Sequence, residues 1–546
     1  MNRFLSGRRA VLLGALAAGL LLAPAVHAQQ RQTATIVKAV PAVPQQLDLQ
    51  TRYEGEASAY VANEQASTLL QVAAEKLKGN GCLESPRVQT DLRGNLAESW
   101  GYTADGKALE FKLRKGVKSA AGNEMTSADV KWSLDRALKQ ASIVRFLAFD
   151  VNSFREDPIE AVDPYTVRVH LKTPTIFDFI AFTWVQTQIY DMKTVQKNSA
   201  ADDPLGLAFL GKNSADFGPW QLSTPANFTP GSRLTVTPNP NFWDAARRGN
   251  AGRLVVLGLY DSSIRSQLLR SGESDFSAVL PLQEYAALAS DKSVKLDTCV
   301  GNIRDTLLLN YLDERLAKPK VREAISLAID REAIVKGVFR GFGKPAQTGI
   351  HADYGIEGMN KYIKHDVARA KQLMAEAGHP NGFTVKFVVS GSRPGAHAEQ
   401  EAVFIADQLK QIGINMEIEM VGSGTAFSDR FFKGDYQAML YSESPAFPDP
   451  FYSLSLMNYG KSFQNSYKYK NDKYDELVNE GLHLPAANTA RRQQILVELM
   501  NIMAENPPQV YLVDTVIPLA RSLKVTGWEN QGQTNGNITA YKLNKR

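Results

Sequence analysis

Two short stretches carry side chains suited to holding a small solute. In Val389-Ser390-Gly391-Ser392-Arg393-Pro394-Gly395-Ala396-His397 a strand-like run ends and a helix-like run opens. Arg393 offers a planar guanidinium that can grip a carboxylate through two parallel hydrogen bonds. His397 sits at a helix start, where the dipole favours an anion. A plain helix-capping loop is the alternative reading of the same residues. The second stretch, Phe432 to Pro450, mixes aromatic residues with Ser442, Glu443, Ser444, Phe447 and Asp449. Aromatic walls plus a few fixed charges are what a closing cleft requires.

Covalent chemistry has no comparable signature. There is no G-x-S-x-G elbow, no H-E-x-x-H and no G-x-x-x-x-G-K-[ST]. The glycine clusters Gly341-Phe342-Gly343 and Gly422-Ser423-Gly424 lack the third glycine of a dinucleotide loop. The seven histidines form no i, i+3 or i+4 pair that would place two imidazoles on one helix face. No enzyme, cofactor or metal site is therefore expected.

The chain opens with Arg3, Arg8 and Arg9, followed by the apolar run Ala10 to Leu22 and small residues at Val26-His27-Ala28. This order fits a signal peptide cleaved near Ala28, and Arg8-Arg9 also fits the twin-arginine export pattern. The other reading is an uncleaved anchor, which the shortness of the run disfavours. Removing residues 1–28 lowers the formal charge from +5 to +2 (5 − 3), since three arginines and no acids leave. A nearly neutral chain without clustered basic residues gives no nucleic-acid footprint. In an oxidising compartment Cys82 and Cys299 could pair, closing a loop worth about 4–5 kcal/mol in the chain-entropy account. Two separately buried thiols are the other possibility.

A chain of 546 residues divides into more than one core. Thr35 to Val40 reads as a strand and Ala66 to Leu77 as a helix. After the turn at Asp105-Gly106, Leu109, Phe111 and Leu113 alternate with charged residues, as in a half-buried strand. Thr126 then offers a hydroxyl cap to a helix carrying Val130, Leu134 and Leu138 at helical spacing. Thr166 to Leu171 and Arg233 to Thr237 read as strands. Phe217-Gly218-Pro219-Trp220 and Asn239-Pro240-Asn241-Phe242-Trp243 read as aromatic-anchored turns.

From about residue 300 helical runs dominate. Pro319 opens a helix with Val321, Ala324, Ile325, Ala328 and Ile329 on one face. Asp330 caps a helix over Glu332 to Phe339, and Asp366 caps one that Gly378 closes. Phe383 to Ser390 (strand), His397 to Ile412 (helix) and Ile414 to Met420 (strand) make a βαβ unit, so a parallel sheet is expected.

Four segments resemble one known family. They are Leu96-Ala97-Glu98-Ser99-Trp100 with the Phe111 to Lys118 and Thr126 to Val130 blocks; the two turns at Phe217 and Asn239; Val321 to Arg331; and Phe432 to Pro450. The chain is similar through them to the family 5 extracellular solute-binding proteins, which serve ABC importers of the dipeptide, oligopeptide and nickel type. The resemblance implies an α/β, two-lobed periplasmic-binding-protein fold (type II, with an extra subdomain), its lobes joined by a hinge. Lobe I would span residues 29–300 plus 515–546, with the subdomain at about 112–229, and lobe II residues 301–514. The hinge strands would cross near Thr298 to Asn302 and return near Tyr511 to Thr515. It further implies a monomer in the periplasm that delivers a small organic solute to the permease subunits of an ABC transporter. A nickel-chelate receptor and a periplasmic sensor or chaperone remain alternatives.

Anchoring the last segment on Asp449-Pro450 places Phe447 at the family's aromatic position. Ala446 then stands where peptide-binding members carry the aspartate that pairs with a peptide's ammonium, and Ser442 and Glu443 replace Gly-Trp. Ordinary peptides with a free amino terminus are thus not expected as the preferred ligand, unless Glu443 supplies the charge. The alternative is a solvent-facing Glu443. By position, Arg52, Tyr53 and Glu54 resemble the loop that meets the solute from lobe I.

Overall fold

Two long antiparallel strands organise the molecule, and the computed structural model shows what hangs on each end of them. It describes residues 34–546 apart from 52–57, 59–60, 62–63, 65–66, 73–91, 141–142, 147–153, 347, 352–363, 423, 444–448, 486–487 and 528–539. Cys82 falls outside these residues, so the pairing of the cysteines is not addressed.

The first part begins with β1 (Ala34–Val40) and a short hairpin, β2 (Leu70–Val72) with β3 (Leu92–Gly94). The helix expected over Ala66 to Leu77 is corrected here: Leu70 to Val72 is a strand, because pairing with Leu92 to Gly94 satisfies its backbone and overrides a weak local period. A separate sheet, ordered β4-β5-β7-β6, follows from β4 (Ala97–Tyr102), β5 (Ala108–Leu113), β6 (Phe154–Asp163) and β7 (Thr166–Leu171). Helix α1 (Ser127–Lys139) lies over it; Leu109, Phe111, Val130 and Leu134 share its buried core. At the α1 cap Thr126 and Asp129 form a reciprocal capping box, in which Asp129 Oδ2 accepts from Thr126 N (2.8 Å) and from Thr126 Oγ1 (3.0 Å).

The main sheet has the order β16-β15-β17-β13-β18-β12-β1-β11-β10-β8. Its first-part strands are β1, β8 (Trp220–Gln221), β9 (Phe228–Thr229, beside β10), β10 (Arg233–Pro238), β11 (Ala251–Gly258) and β12 (Phe276–Ser277). β13 (Val294–Leu309) then leads into a second set of elements. These are α2 (Pro319–Ala328), α3 (Arg331–Gly337), β14 (Gly343–Pro345), α4 (Val367–Glu376), β15 (Phe383–Val389), α5 (Ala398–Lys410), β16 (Ile414–Met420) and β17 (Ala438–Glu443). β18 (Val510–Ser522) returns along β13. One end of this ladder meets β12 on β18; the other meets β17 on β13. Register breaks between Val300 and Arg304, opposite Val516 to Asp514. After the return, Leu519, Val525, Ala540, Tyr541 and Leu543 bury against Ile36, Trp220, Leu234 and Leu254 of the first part.

The βαβ unit forms as its pattern predicts. β15 and β16 are parallel from Phe383↔Ile414 to Val389↔Met420, with α5 crossing between them. Gly382 and Gly413 allow this: both have positive φ, and a Cβ on Gly382 would lie 1.9 Å from Gly413 O. Asp330 and Asp366 cap their helices by accepting from Ala333 N and Arg369 N.

Strand β13 separates two cores. Leu307 and Leu309 bury against α2 to α5, whereas Leu308 joins Met439, Tyr441 and Tyr511 on the other face. The latter core also holds Phe177 and Ile180 from the first part, with the Phe177 and Tyr452 rings 5.8 Å apart.

Candidate functional site

The carboxyl ends of the parallel strands β15 and β17 lie together, and β13 enters the sheet beside them at Arg304. In open α/β sheets this edge is where ligands bind. Side chains on consecutive strand residues point to opposite faces, so neighbouring charges here serve separate clusters.

On one face, Arg304 is opposite Glu443 on β17 and opposite Asp514 on β18. Its Nε donates to Asp514 Oδ1 at 2.7 Å and its Nη1 to Thr348 O at 2.6 Å. The guanidinium lies 5.3 Å from the Tyr511 ring. His351 Nδ1 is 3.3 Å from Asp514 Oδ1, and burial with the nearby Arg304 charge pushes its pKa down to about 4. Glu443 is buried, not solvent-facing. Its carboxyl is pushed up to about 7 by burial, against the pull of Arg304. Gln509 Nε2 donates to Glu443 Oε1, while Gln509 Oε1 accepts from Thr306 Oγ1 at 2.8 Å. Among the described residues on this face Arg304 balances Asp514, and burial favours the neutral forms of Glu443 and His351.

On the other face, Asp305 Oδ2 and His397 Nε2 are 2.6 Å apart. His397 immediately precedes α5, and Glu401, one turn on, brings Oε2 to 3.9 Å from the same imidazole nitrogen. Burial and the Asp305 carboxylate push the Glu401 carboxyl well up.

Arg393 stands at the rim. Its guanidinium lies 4.3 Å from the Tyr441 ring centroid, and Nε and Nη2 both donate to Ser442 O, at 2.9 and 2.6 Å. The side chain is nonetheless exposed. The loop thus does more than cap α5: it fixes a cation against the end of β17.

The residues picked from the sequence therefore divide. Arg393, His397, Ser442 and Glu443 come together at one edge. Asp449 does not join them; it caps the short helix Pro450–Ser453 by accepting from Phe451 N at 2.9 Å, and its other oxygen pairs with Arg492 Nη2 at 2.9 Å. That carboxylate is committed to the fold. Arg52, Tyr53, Ser444 and Phe447, with Ala446, lie outside the described residues. Sequence reading misses Arg304, Asp305, His351, Glu401 and Asp514. The one available signal is Arg304-Asp305, an adjacent pair of opposite charges leading into the apolar run of β13.

Comparison with known proteins identifies the architecture. The sequence profile of the bacterial extracellular solute-binding proteins, family 5 Middle, matches residues 91–465. The chain belongs to that family. Its work is that of the solute-binding component of an ABC importer, with a two-lobed α/β fold. The glutathione-binding protein GsiB of Escherichia coli (strain K12) is 26% identical over 445 residues, 80% of this chain and 83% of that one. The fold matches the periplasmic binding protein DppA of Helicobacter pylori in complex with the peptide STSA. Its TM-score is 0.77 at 23% identity, over 94% of this chain and 98% of that one. It also matches AgaA of A. tumefaciens R10 with agropinic acid, at TM-score 0.76 and 24% identity, over 94% and 99% of the two chains.

Proposed function

We propose that this family 5 protein captures a small, carboxylate-bearing organic solute at the edge formed by Arg393, Tyr441 and Ser442, without covalent chemistry. The observation that carries the reading is the state of Arg393. Stacking and two hydrogen bonds to one carbonyl fix its guanidinium, yet among the described residues no carboxylate pairs with it and Nη1 makes no hydrogen bond. A preorganised cation loses little entropy on gripping a carboxylate. Glutathione and agropinic acid, named for two of the similar proteins, are organic acids, which agrees with such an anchor.

Glu443 is poorly placed to answer a peptide ammonium, being buried and engaged by Gln509. Peptides whose binding depends on a free amino terminus are therefore disfavoured. β13 and β18 act as the hinge, flexing where their register breaks, and solute contacts on both lobes shift the population toward the closed form. The protein works as a periplasmic monomer after removal of residues 1–28, exported by either the general secretory or the twin-arginine route, and has no nucleic-acid partner.

Native mass spectrometry of the protein from its own periplasm should reveal a co-purifying organic acid. In calorimetry Arg393→Gln should weaken that solute tenfold or more. Undiminished binding by Arg393→Gln would overturn the anchor, and a co-purifying ligand lacking any carboxylate would overturn the ligand class.

A further inference from the structure

The cluster beneath α5 is not used by the solute reading, and its chemistry is different. Asp305 arrives on β13 from 92 positions before His397, and His397 and Glu401 are one helical turn apart. One imidazole nitrogen and two carboxylate oxygens, one from each residue, all lie within 4.8 Å of one another. The Asp305 side chain is 1% exposed and that of Glu401 0%. Neither oxygen of Glu401 accepts a hydrogen bond among the described residues, nor does Asp305 Oδ1. The ion pairs of both carboxylates there are with His397 alone.

An unanswered carboxylate in a dry position is expensive, and a second beside it raises the cost. Two groups so placed share either a proton or a cation. The geometry bears on which. Tetrahedral coordination at about 2.0–2.2 Å sets neighbouring donors about 3.3–3.6 Å apart. The separations of 2.6 Å and 3.9 Å from His397 Nε2 straddle that range and the two carboxylate oxygens lie within 4.8 Å of each other, so side-chain shifts on the order of 1 Å would close the site. Mixed nitrogen and oxygen donors suit a borderline cation; calcium and magnesium prefer oxygen alone. Two carboxylates with a neutral imidazole also carry the charge that one divalent ion cancels. The His397 side chain, 23% exposed, is the only one of the three that reaches the surface, so access and an open coordination position lie on its side.

We propose that Asp305, His397 and Glu401 form a binding site for one divalent cation of the zinc or nickel class, open on the side of the loop before α5. The site stands apart from solute capture and is testable without any solute.

The experiment uses the full chain, stripped with chelator and titrated with zinc, nickel or magnesium chloride by calorimetry and native mass spectrometry. Zinc or nickel should bind with one equivalent and micromolar or tighter affinity, and magnesium should not. Glu401→Gln and His397→Gln should each weaken binding at least tenfold. His397→Gln serves if Glu401→Gln fails to fold, because its side chain is partly exposed and precedes the helix. Absence of stoichiometric uptake would overturn the proposal in favour of a shared proton. Uptake unchanged in a folded variant would overturn it by placing the ion elsewhere.

Discussion

Arg304 and Asp305 are neighbours on one strand, yet they belong to opposite electrostatic solutions. Arg304 enters a face where its charge is matched by Asp514, and where Glu443 and His351 can become neutral at little cost. Asp305 enters a face where a second acid, Glu401, is buried against it and, among the described residues, His397 is the one basic group that pairs with them. The strand's two-residue period alone separates them. Burial of charge is not one condition. A compensated cluster resists change, whereas an uncompensated one invites a ligand.

The sharpest test removes the centre of the compensated face. Arg304→Met leaves Asp514 buried without its partner and should cost about 3–5 kcal/mol in denaturant unfolding. A loss under about 1 kcal/mol would show that the two faces are not so different.

Glu443 gives the next effect, through pH. Its folded value of about 7 lies above the ordinary 4.5, so its contribution is complete below pH 4.5 and is lost as pH rises through 7. The span corresponds to at most about 3 kcal/mol. His351 runs the other way: its stabilisation is present above 6.5 and is lost as pH falls through about 4. In unfolding measured across pH 4–8, Glu443→Gln should flatten the neutral-side decline and leave the acid-side loss.

On the uncompensated face the sign reverses. Without metal, Glu401→Met should raise stability by about 1–2 kcal/mol, since an apolar side chain of similar volume replaces an unanswered carboxylate. A loss comparable to that of Arg304→Met would abolish the contrast. The smallest stability effect belongs to the rim. Arg393→Gln, at an exposed position, should change unfolding by less than about 0.5 kcal/mol while weakening solute binding tenfold.

Much of the second lobe is legible in the sequence. Phe383 to Met420 announces a strand, helix and strand through alternation, helical spacing and the glycines that turn between them. Asp330 and Asp366 announce their own helix starts. Leu70 to Val72 reads wrongly as helix because a three-residue strand carries too little pattern to outweigh its neighbours. Asp449 looks like a ligand group because its segment resembles a cleft loop, but only the fold shows its oxygens taken by Phe451 N and Arg492.

The family and the element grammar, with Arg393 as a candidate ligand group, follow from local spacing and from motifs contiguous in the chain. The tertiary structure alone decided that Arg304 meets Asp514 across 210 positions and that Asp305 meets His397 across 92. Sheet register on β13, with α5 packed against that strand, makes those meetings. It is set by hydrophobic faces packing against distant elements, so no local stretch of sequence contains it.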